Sequence, residues 1–310
     1  MTITFRPAIR ENVGLLIGLM GGSGSGKTYT AMRLASGIAG DKPFAVIDTE
    51  ARRALHYADQ FKFDHAELKP PFTPEAYTEA IHAADAAGYP VIVVDSMSHV
   101  WAGDGGVLDM QEAEYERLGA KETVKMLSWA KPKMAHKKFV QSLLQVRAHL
   151  VLCFRAEQKI EMVRENGKMV VHQKQTLTGL DGWQAICDKT LPFELTTSFL
   201  LTADKPGIPQ PIKLQEQHRA LFPLDQPISE ASGRGVAEWA AGGGTKVVSV
   251  EAEHAVEYIS ADQAIVIGDK LAGHSDLKSD LVGKFGAISK IPALSYAKVV
   301  AKIDSLIGED

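Results

Sequence analysis

The feature that most constrains the fold of this chain is a glycine-rich segment near its start, Gly21-Gly22-Ser23-Gly24-Ser25-Gly26-Lys27-Thr28. It follows a short apolar run, residues 15–20, and precedes a stretch with helical spacing of apolar residues, 28–38. Glycines of this kind let the backbone curl so that consecutive amides point at one anion, and the dipole of the following helix adds to the attraction. The segment therefore predicts a strand, a phosphate-binding loop and a helix in succession.

The spacing of this segment fits the Walker A pattern G-x-x-x-x-G-K-[ST] in full. In that pattern the lysine, here Lys27, reaches the β- and γ-phosphates of a nucleotide, and the hydroxyl of Thr28 coordinates Mg²⁺. We therefore expect the chain to bind ATP with Mg²⁺. The residues predicted to bind the nucleotide are those of the motif and the residue after it: Gly21, Gly22, Ser23, Gly24, Ser25, Gly26, Lys27, Thr28 and Tyr29.

Apolar runs and helical segments alternate over the first half of the chain. Residues 44–47, 90–94 and 150–154 read as strands, whereas 74–87 and 134–148 read as helices. The buried positions expected on these two helices are Ala76, Ala80, Ala83, Ala84 and Ala87 on the first and Phe139, Leu143, Leu144 and Val146 on the second. The alternation predicts an α/β fold: a mainly parallel sheet with helices on both faces, in which the second strand lies next to the first.

Charged residues follow three of these strands. Asp95 closes the apolar run 91–94, where it would hold Mg²⁺ opposite Thr28, although a strand-terminal aspartate can also be a turn or capping residue. Glu50 ends the second strand and could orient the attacking water, with Asp48 as its competitor for that role. Arg155 follows the fourth strand and could sense the γ-phosphate, or simply pair with Glu157. The predicted catalytic residues are Lys27, Glu50 and Arg155.

The charge of the chain is distributed unevenly. The net charge is −4, but residues 121–174 hold twelve Lys or Arg and four Glu, a local balance of +8 that leaves −12 for the remainder. Within this region Asn166-Gly167 is a strong hairpin signal between two short strand patterns. Basic side chains on such a hairpin suit a phosphodiester backbone, and an ordinary solvated hairpin is the alternative. The predicted DNA-binding residues are Lys159, Arg164, Lys168 and Lys174.

The last third of the chain changes character. Residues 191–201 and 211–214 look like further strands, and 241–245 (AGGGT) is a flexible linker by composition. Beyond the linker, Ser260 and Gln263 form the sequence pattern of a capping box that opens a small helical region. The predicted organisation is an ATPase core over residues 1–240, a linker over 241–247 and a small helical domain over 248–310.

Two further features bear on the cellular location. The two cysteines, Cys153 and Cys187, have no spacing typical of zinc, and they suggest reduced thiols. No apolar run reaches the ~18 residues of a membrane span, and the first residues lack the pattern of a signal peptide. The expected location is the cytoplasm, with no membrane partner.

Several of these segments resemble RecA-type recombinases. Residues 44–50 (FAVIDTE) are similar to a RecA strand whose terminal glutamate activates water, and 91–96 (VIVVDS) are similar to its Walker B strand. Residues 150–159 resemble the strand that leads to the γ-phosphate sensor and to the second DNA-binding loop. At the sensor this chain has Phe154-Arg155 where that family has Asn-Gln. The long N-terminal helix and the C-terminal domain of RecA have no counterpart here. The resemblance implies a RecA-like core over about residues 12–225.

The compact form looks like the RecA-core ATPases of phages that act in single-strand annealing. Short matches in the tail, at residues 259–263 and 291–296, are similar to the helical tails of phage annealing proteins. This resemblance implies a DNA-stimulated ATPase in phage-type recombination, located in the cytoplasm of a bacterial host. The implied partners are single-stranded DNA, further copies of the chain in a ring or filament, and a single-strand-binding protein.

Two functions of other classes compete with this reading. The same loop serves nucleotide and small-molecule kinases, in which a basic lid could be mistaken for the hairpin. A non-catalytic ATP switch in DNA packaging or helicase loading would bind ATP with almost no turnover. The product formed from ATP and the effect of single-stranded DNA on turnover discriminate among the three.

Overall fold

The structure is a computed structural model, and it describes residues 14–165, 168–173, 182–242 and 258–307. The chain divides into two compact units, Met1–Gly244 and Thr245–Asp310. Most of the linker predicted at 241–247 and the Asn166-Gly167 turn lie outside the described residues. Each unit is described by itself.

The first unit is built on one mixed sheet. In chain order the strands of the unit are β1 (Leu16–Gly21), β2 (Phe44–Asp48), β3 (Phe63–Glu67), β4 (Val91–Asp95), β5 (His149–Gln158), β6 (Ile160–Glu165), β7 (Lys168–Gln173), β8 (Trp183–Ala185), β9 (Thr197–Leu201) and β10 (Gln210–Lys213). The sheet runs β10-β9-β1-β5-β4-β2-β3, with β8 paired to β5, whereas β6 and β7 form a separate antiparallel ribbon. All neighbours on this path are parallel except β10, which is antiparallel to β9.

The position of β2 differs from the prediction. β1 is flanked by β5 and β9, so the second strand is not next to the first. Apolar runs predict that strands exist but not their order, because any fully buried parallel strand has the same pattern. Arg155 does not follow the fourth strand as predicted, because β5 continues to Gln158. Since β5 lies between β1 and β4, Arg155 is paired with Gly21 at the start of the glycine loop and lies two residues beyond the partner of Asp95.

Helices cover both faces of the sheet, which confirms the predicted α/β architecture. In chain order they are α1 (Lys27–Ala39), α2 (Pro74–Ala86), α3 (His99–Ala102), α4 (Val107–Arg117), α5 (Ala130–Leu143), α6 (Leu191–Glu194), α7 (Glu216–Arg219) and α8 (Glu230–Ala240). One core cluster joins the sheet to α2 and α5 through Tyr77 and Phe139. The other joins the opposite face to α1 and α8 through Leu34 and Val236.

The helix at 74–87 forms as predicted, but its buried face is different. The Thr73 side chain accepts a hydrogen bond from the Ala76 amide. Pro74 occupies the first turn, where the backbone N–H groups have no partner within the helix, so the missing N–H of proline costs no hydrogen bond. Tyr77 and Ile81 are fully buried, whereas Ala83 and Ala87 are exposed. The larger side chains set the orientation of the helix because their burial stabilises it more than the burial of alanine.

Two other boundaries were predicted wrongly. α5 begins at Ala130 and ends at Leu143, and Leu144 is 54% exposed rather than inward. Pro132 lies in the first turn of α5, where proline is tolerated, so it does not mark the start of the helix. Residues 191–201, predicted as strand throughout, contain the short helix α6 before β9 begins at Thr197.

The described part of the second unit, residues 258–307, contains three α-helices, α9 (Ala261–Lys270), α10 (Ser275–Phe285) and α11 (Tyr296–Ile307). The capping box forms at the start of α9, with reciprocal bonds between Ser260 and Gln263 at 3.0 and 3.2 Å. The buried residues at the centre of this unit are Ile259, Ile267, Leu271, Ile291 and Ile303. Across the residues that the structure describes, no helix is both long and apolar enough to cross a membrane.

Candidate nucleotide site

The loop between β1 and α1 can adopt its conformation only with glycine at key positions. Gly24 and Gly26 have φ angles of +77° and +79°, in the left-handed region that favours glycine. A Cβ at Gly21 would lie 2.3 Å from the carbonyl oxygen of Leu201. The loop is therefore held close against the end of β9, and it leads directly into the N-terminus of α1 at Lys27.

The predicted nucleotide-binding residues surround one cavity. All nine of them, from Gly21 to Tyr29, line a cavity of about 660 Å³. Within it Lys27 Nζ donates a hydrogen bond to the Gly22 carbonyl oxygen at 2.8 Å. The buried Ser25 hydroxyl donates to the same oxygen at 2.9 Å. The ammonium group thus lies folded over the loop, in a position from which it can turn to an incoming phosphate.

Asp95 and Thr28 meet at the floor of this cavity. The Thr28 hydroxyl donates to Asp95 Oδ2 at 2.5 Å, and Asp95 is 6% exposed. Burial raises the pKa of Asp95, and the Thr28 hydrogen bond opposes this only in part. A cation next to the carboxylate would relieve the cost of burying its charge, so the pair is suited to one.

This pair fits Mg²⁺ better than a metal held by the protein alone. No cluster of three or more His, Cys, Asp or Glu side chains that could hold a metal is found in the described ranges. Mg²⁺ retains several waters and binds through one or two protein oxygens together with substrate phosphates. Two oxygen ligands at the floor of a cavity that can hold phosphates match this chemistry.

Glu50 and Arg155 are brought together across the cavity, although they are 105 positions apart in the chain. Arg155 Nε donates to Glu50 Oε1 at 2.8 Å, and Nη2 donates to Oε2 at 2.6 Å. Burial acts to raise the pKa of Glu50, but the hydrogen bond and the charge of Arg155 outweigh it and hold the pKa below its ordinary value. Glu50 is therefore an ionised carboxylate whose two oxygens are both engaged. The alternative pairing of Arg155 with Glu157 does not form; Glu157 contacts Lys159 instead.

The competitor, Asp48, has a different environment. Its carboxylate accepts hydrogen bonds from the amides of Glu50 at 2.7 Å and Ala54 at 2.9 Å. It also lies 3.2 Å from His65 Nε2, and it is 1% exposed. These contacts shape the turn that carries Glu50, and Asp48 is not among the residues that line the cavity.

Three residues with charged or aromatic side chains near the site were not predicted from the sequence. Arg53 and Tyr57 line the cavity from the short 3₁₀ helix Arg53–Tyr57. The Tyr57 ring lies 5.7 Å from that of Tyr29, which packs on Phe61 as well at 5.6 Å. His99, at the start of α3, has Nε2 3.9 Å from Glu50 Oε1. A histidine four residues after Asp95 is the one local signal that could have suggested a role for it.

The ribbon of β6 and β7 follows β5 directly, and its described part differs from a purely basic hairpin. Ile160, Met162, Met169 and Val171 are each more than half exposed. Met162 pairs with Val171, and Ile160 and Met169 lie at same-face positions of the register. One face of the ribbon is therefore mostly apolar, although Arg164 lies on it as well.

The predicted DNA contacts are only partly within the described residues. Lys159 Nζ lies 2.5 Å from Glu157 Oε1, and Arg164 is exposed opposite Met169. Lys168 lies on β7 at the register position opposite Glu165, and Lys174 is outside the described residues. The DNA-binding role of these four residues remains a prediction.

One comparison with known proteins assigns the core of the chain to a family. Residues 14–198, more than half of the 310-residue chain, match a family described as AAA domain. The matched segment spans the glycine loop, Glu50, Asp95 and Arg155. No curated protein matches the chain. The chain thus belongs to this AAA-domain family, and its core is an ATPase-type P-loop domain.

Proposed function

We propose that the protein hydrolyses ATP, binds single-stranded DNA and acts in homologous recombination of the phage type, by annealing or strand exchange. The observation that carries the nucleotide part is the single cavity lined by the whole glycine loop, Glu50, Asp95 and Arg155. The DNA part is supported by the resemblance to recombination ATPases and by the basic balance of residues 121–174.

In this proposal the loop holds the triphosphate. The amides at the start of α1 face the phosphates. Lys27 gives up its hydrogen bond to the Gly22 carbonyl oxygen and binds oxygens of the β- and γ-phosphates instead. Thr28 and Asp95 would hold Mg²⁺, which would supply positive charge against the charge that develops on the phosphates. The Tyr29 and Tyr57 rings at the same cavity offer a surface for the adenine base.

Glu50 is the proposed general base. Its carboxylate is ionised, lines the cavity and is 13% exposed, so it can accept a proton from a water aligned with the γ-phosphorus. The oxygen of that water bonds to phosphorus as the bond to the ADP oxygen breaks. Arg155, half exposed beside Glu50, is placed to turn to the γ-phosphate oxygens.

DNA and ATP binding can be coupled through one strand. β5 presents Arg155 and Ala156 to the cavity and continues, after Lys159, into the ribbon at Ile160. We propose that basic residues of the ribbon contact the phosphodiester backbone and that its apolar face, with Met162 and Val171, contacts unstacked bases. A shift of the ribbon on binding DNA would then be transmitted along β5 to Arg155.

The test is ATP turnover with and without an oligodeoxythymidine, with analysis of all phosphorylated products. The proposal predicts release of ADP and inorganic phosphate at a rate that single-stranded DNA raises several-fold. A phosphorylated small-molecule product would favour the kinase, and intact ATP binding with almost no turnover would favour the switch. Either result would contradict the proposal.

A further inference from the structure

We infer that His99 is a positioning residue for Glu50, whose carboxylate it holds through its Nε2–H when Arg155 turns away to the γ-phosphate. This inference rests on the proposed ATP hydrolysis and adds one residue to the proposed site. Its basis is a network of buried polar groups that connects the ends of β2 and β4 and to which the proposed mechanism assigns no role.

The centre of this network is the Thr49 hydroxyl. It accepts a hydrogen bond from the Ser96 amide at 2.8 Å, and it lies 2.7 Å from His99 Nδ1. The Ser96 carbonyl oxygen is a more distant alternative at 3.3 Å, and it already accepts the Tyr77 hydroxyl at 2.7 Å. The geometry therefore favours donation of the single Thr49 hydroxyl hydrogen to His99 Nδ1.

This donation fixes the tautomer of His99. If Nδ1 accepts, the ring proton is on Nε2, which faces Glu50 Oε1 at 3.9 Å. The opposite tautomer would direct a nitrogen lone pair at an ionised carboxylate. Burial and the nearby Arg155 lower the pKa of His99, so the ring is neutral and carries one proton. The Nε2–H is thus directed at the carboxylate by its environment.

The position of the ring is fixed as well. His99 stacks on Phe72, with ring centroids 5.0 Å apart and planes at 27°, and its side chain is 14% exposed. Ser98, the residue before it, accepts a hydrogen bond from the Arg155 amide at 2.9 Å. The histidine is therefore attached through Thr49 to the turn after β2, which carries Glu50, and through its neighbour to β5, which carries Arg155.

The need for such a residue follows from the engagement of Arg155. In this structure the guanidinium occupies both oxygens of Glu50. If it moves to the γ-phosphate, Glu50 loses both bonds, and Arg53, the other cation in reach, is 3.9 Å away and 76% exposed. A carboxylate left without donors in a largely buried position is costly and free to reorient. A closing movement of about 1 Å would bring His99 Nε2 to the ~2.9 Å of a hydrogen bond.

Two substitutions of His99 distinguish a role in positioning the Glu50 carboxylate from a merely structural role. Asparagine can replace Nδ1 and keep the contact with Thr49, but it is too short to reach Glu50. Glutamine can place an amide N–H near the position of Nε2. We expect His99→Asn to lower kcat by roughly 10- to 100-fold, because the base is misplaced. We expect His99→Gln to recover most of this loss.

The measurements are kcat and KM for ATP, and the Kd of a non-hydrolysable ATP analogue for each variant. We expect kcat to change while this Kd stays within about twofold, since His99 is not among the residues that line the cavity. Equal loss of kcat in both variants, or loss that follows weakened analogue binding, would show a merely structural role and overturn the inference.

Lys27→Ala and Glu50→Gln distinguish failure of this inference from failure of the proposed function. If His99→Asn turns over like wild type while both of these variants are inactive, only the role of His99 is overturned. If Lys27→Ala and Glu50→Gln also turn over like wild type, the proposed ATP site itself is wrong.

Discussion

Two carboxylates lie close together at the end of β2, and their surroundings give them different roles. Asp48 is fully engaged by the Glu50 and Ala54 amides and by His65, whereas Glu50 lines the cavity. We expect Glu50→Gln to lower turnover by roughly a hundredfold or more while ATP still binds, because the base is lost and the size is kept. ATP turnover and analogue binding of the same preparation check this.

Asp48→Asn is the matched comparison. It removes the charge of the carboxylate that accepts hydrogen bonds from two backbone amides, so it should lower the free energy of unfolding by about 1–3 kcal/mol. Urea unfolding measures this loss. If Asp48→Asn is inactive at full stability and Glu50→Gln is nearly normal, the base has been assigned to the wrong residue.

The Glu50–Arg155 pair predicts a pH dependence. Glu50 works in its ionised form, so activity is lost as pH falls through its pKa, which Arg155 holds low. In Arg155→Ala the burial of Glu50 is no longer opposed by the arginine, so the pKa of Glu50 rises. The acid limb of kcat/KM should therefore move to higher pH. Arg53→Ala is the control, with a smaller shift expected because Arg53 lies 3.9 Å from Glu50 and is largely exposed. An acid limb that stays in place in Arg155→Ala would show that Glu50 is not the group titrated.

The sequence predicted which residues gather at the cavity better than it predicted their contacts. The nine loop residues could be assigned because one local pattern determines both their chemistry and their conformation. The bidentate contact of Arg155 with Glu50 could not, since it depends on β5 lying between β1 and β4. His99 could not be assigned either, because its role depends on Thr49 and Glu50 from another strand.

The helices α1 and α8 make an unusually close contact. A Cβ at Gly37 would lie 2.1 Å from the Glu230 carbonyl oxygen, and one at Gly233 would lie 2.2 Å from that of Leu34. Arg33 and Glu230 join the same two helices by a bidentate ion pair. The close approach positions the helix that carries Lys27 at its start.

We expect Gly233→Ala to destabilise the protein by about 1–3 kcal/mol, because the added methyl group meets backbone that cannot move aside. Gly235→Ala in the same helix meets only the end of the Leu221 side chain, at 3.2 Å. It should be within about 1 kcal/mol of wild type or more stable, since alanine is the better helix former. Urea unfolding of both variants measures this difference, and equal stability would contradict the close packing.

The central strands with a strong apolar pattern were predicted, whereas the edge strand β3, which lacks one, was missed. β1, β2, β4 and β5 are continuous apolar runs with fully buried centres. β3 reads Phe-Asp-His-Ala-Glu and lies at the edge of the sheet, where half-exposed positions accept polar residues. Its pattern was therefore too weak to identify.

The charge distribution of the whole molecule leads to a prediction about DNA. An acidic protein with a balance of +8 in residues 121–174 should bind a polyanion mainly through that region. Affinity for an oligonucleotide should fall with salt, with a slope of about −0.7 per phosphate contact. Replacing Arg164, Lys168 and Lys174 by alanine should flatten the slope by roughly two units, with ATP binding intact as the control.

A salt titration of oligonucleotide binding by wild type and this triple variant makes the comparison. Identical slopes would contradict a DNA site on the ribbon and direct attention to the exposed lysines of α5, Lys131, Lys133, Lys137 and Lys138. Any base preference should be weak, because the described part of the ribbon has no Phe, Tyr or Trp for stacking.

The most direct test of the central claim, that the chain is an ATPase acting through the Gly21–Thr28 loop, is steady-state ATP hydrolysis by wild type and Lys27→Ala. Lys62→Ala, a surface lysine outside the cavity, is the control, and thermal unfolding shows whether each variant is folded. Folded Lys27→Ala should lose at least about a hundredfold in turnover, because the ammonium group stabilises the phosphates in the transition state, while Lys62→Ala should keep its activity. Undiminished hydrolysis by Lys27→Ala would show that the Gly21–Thr28 loop is not the site of ATP hydrolysis.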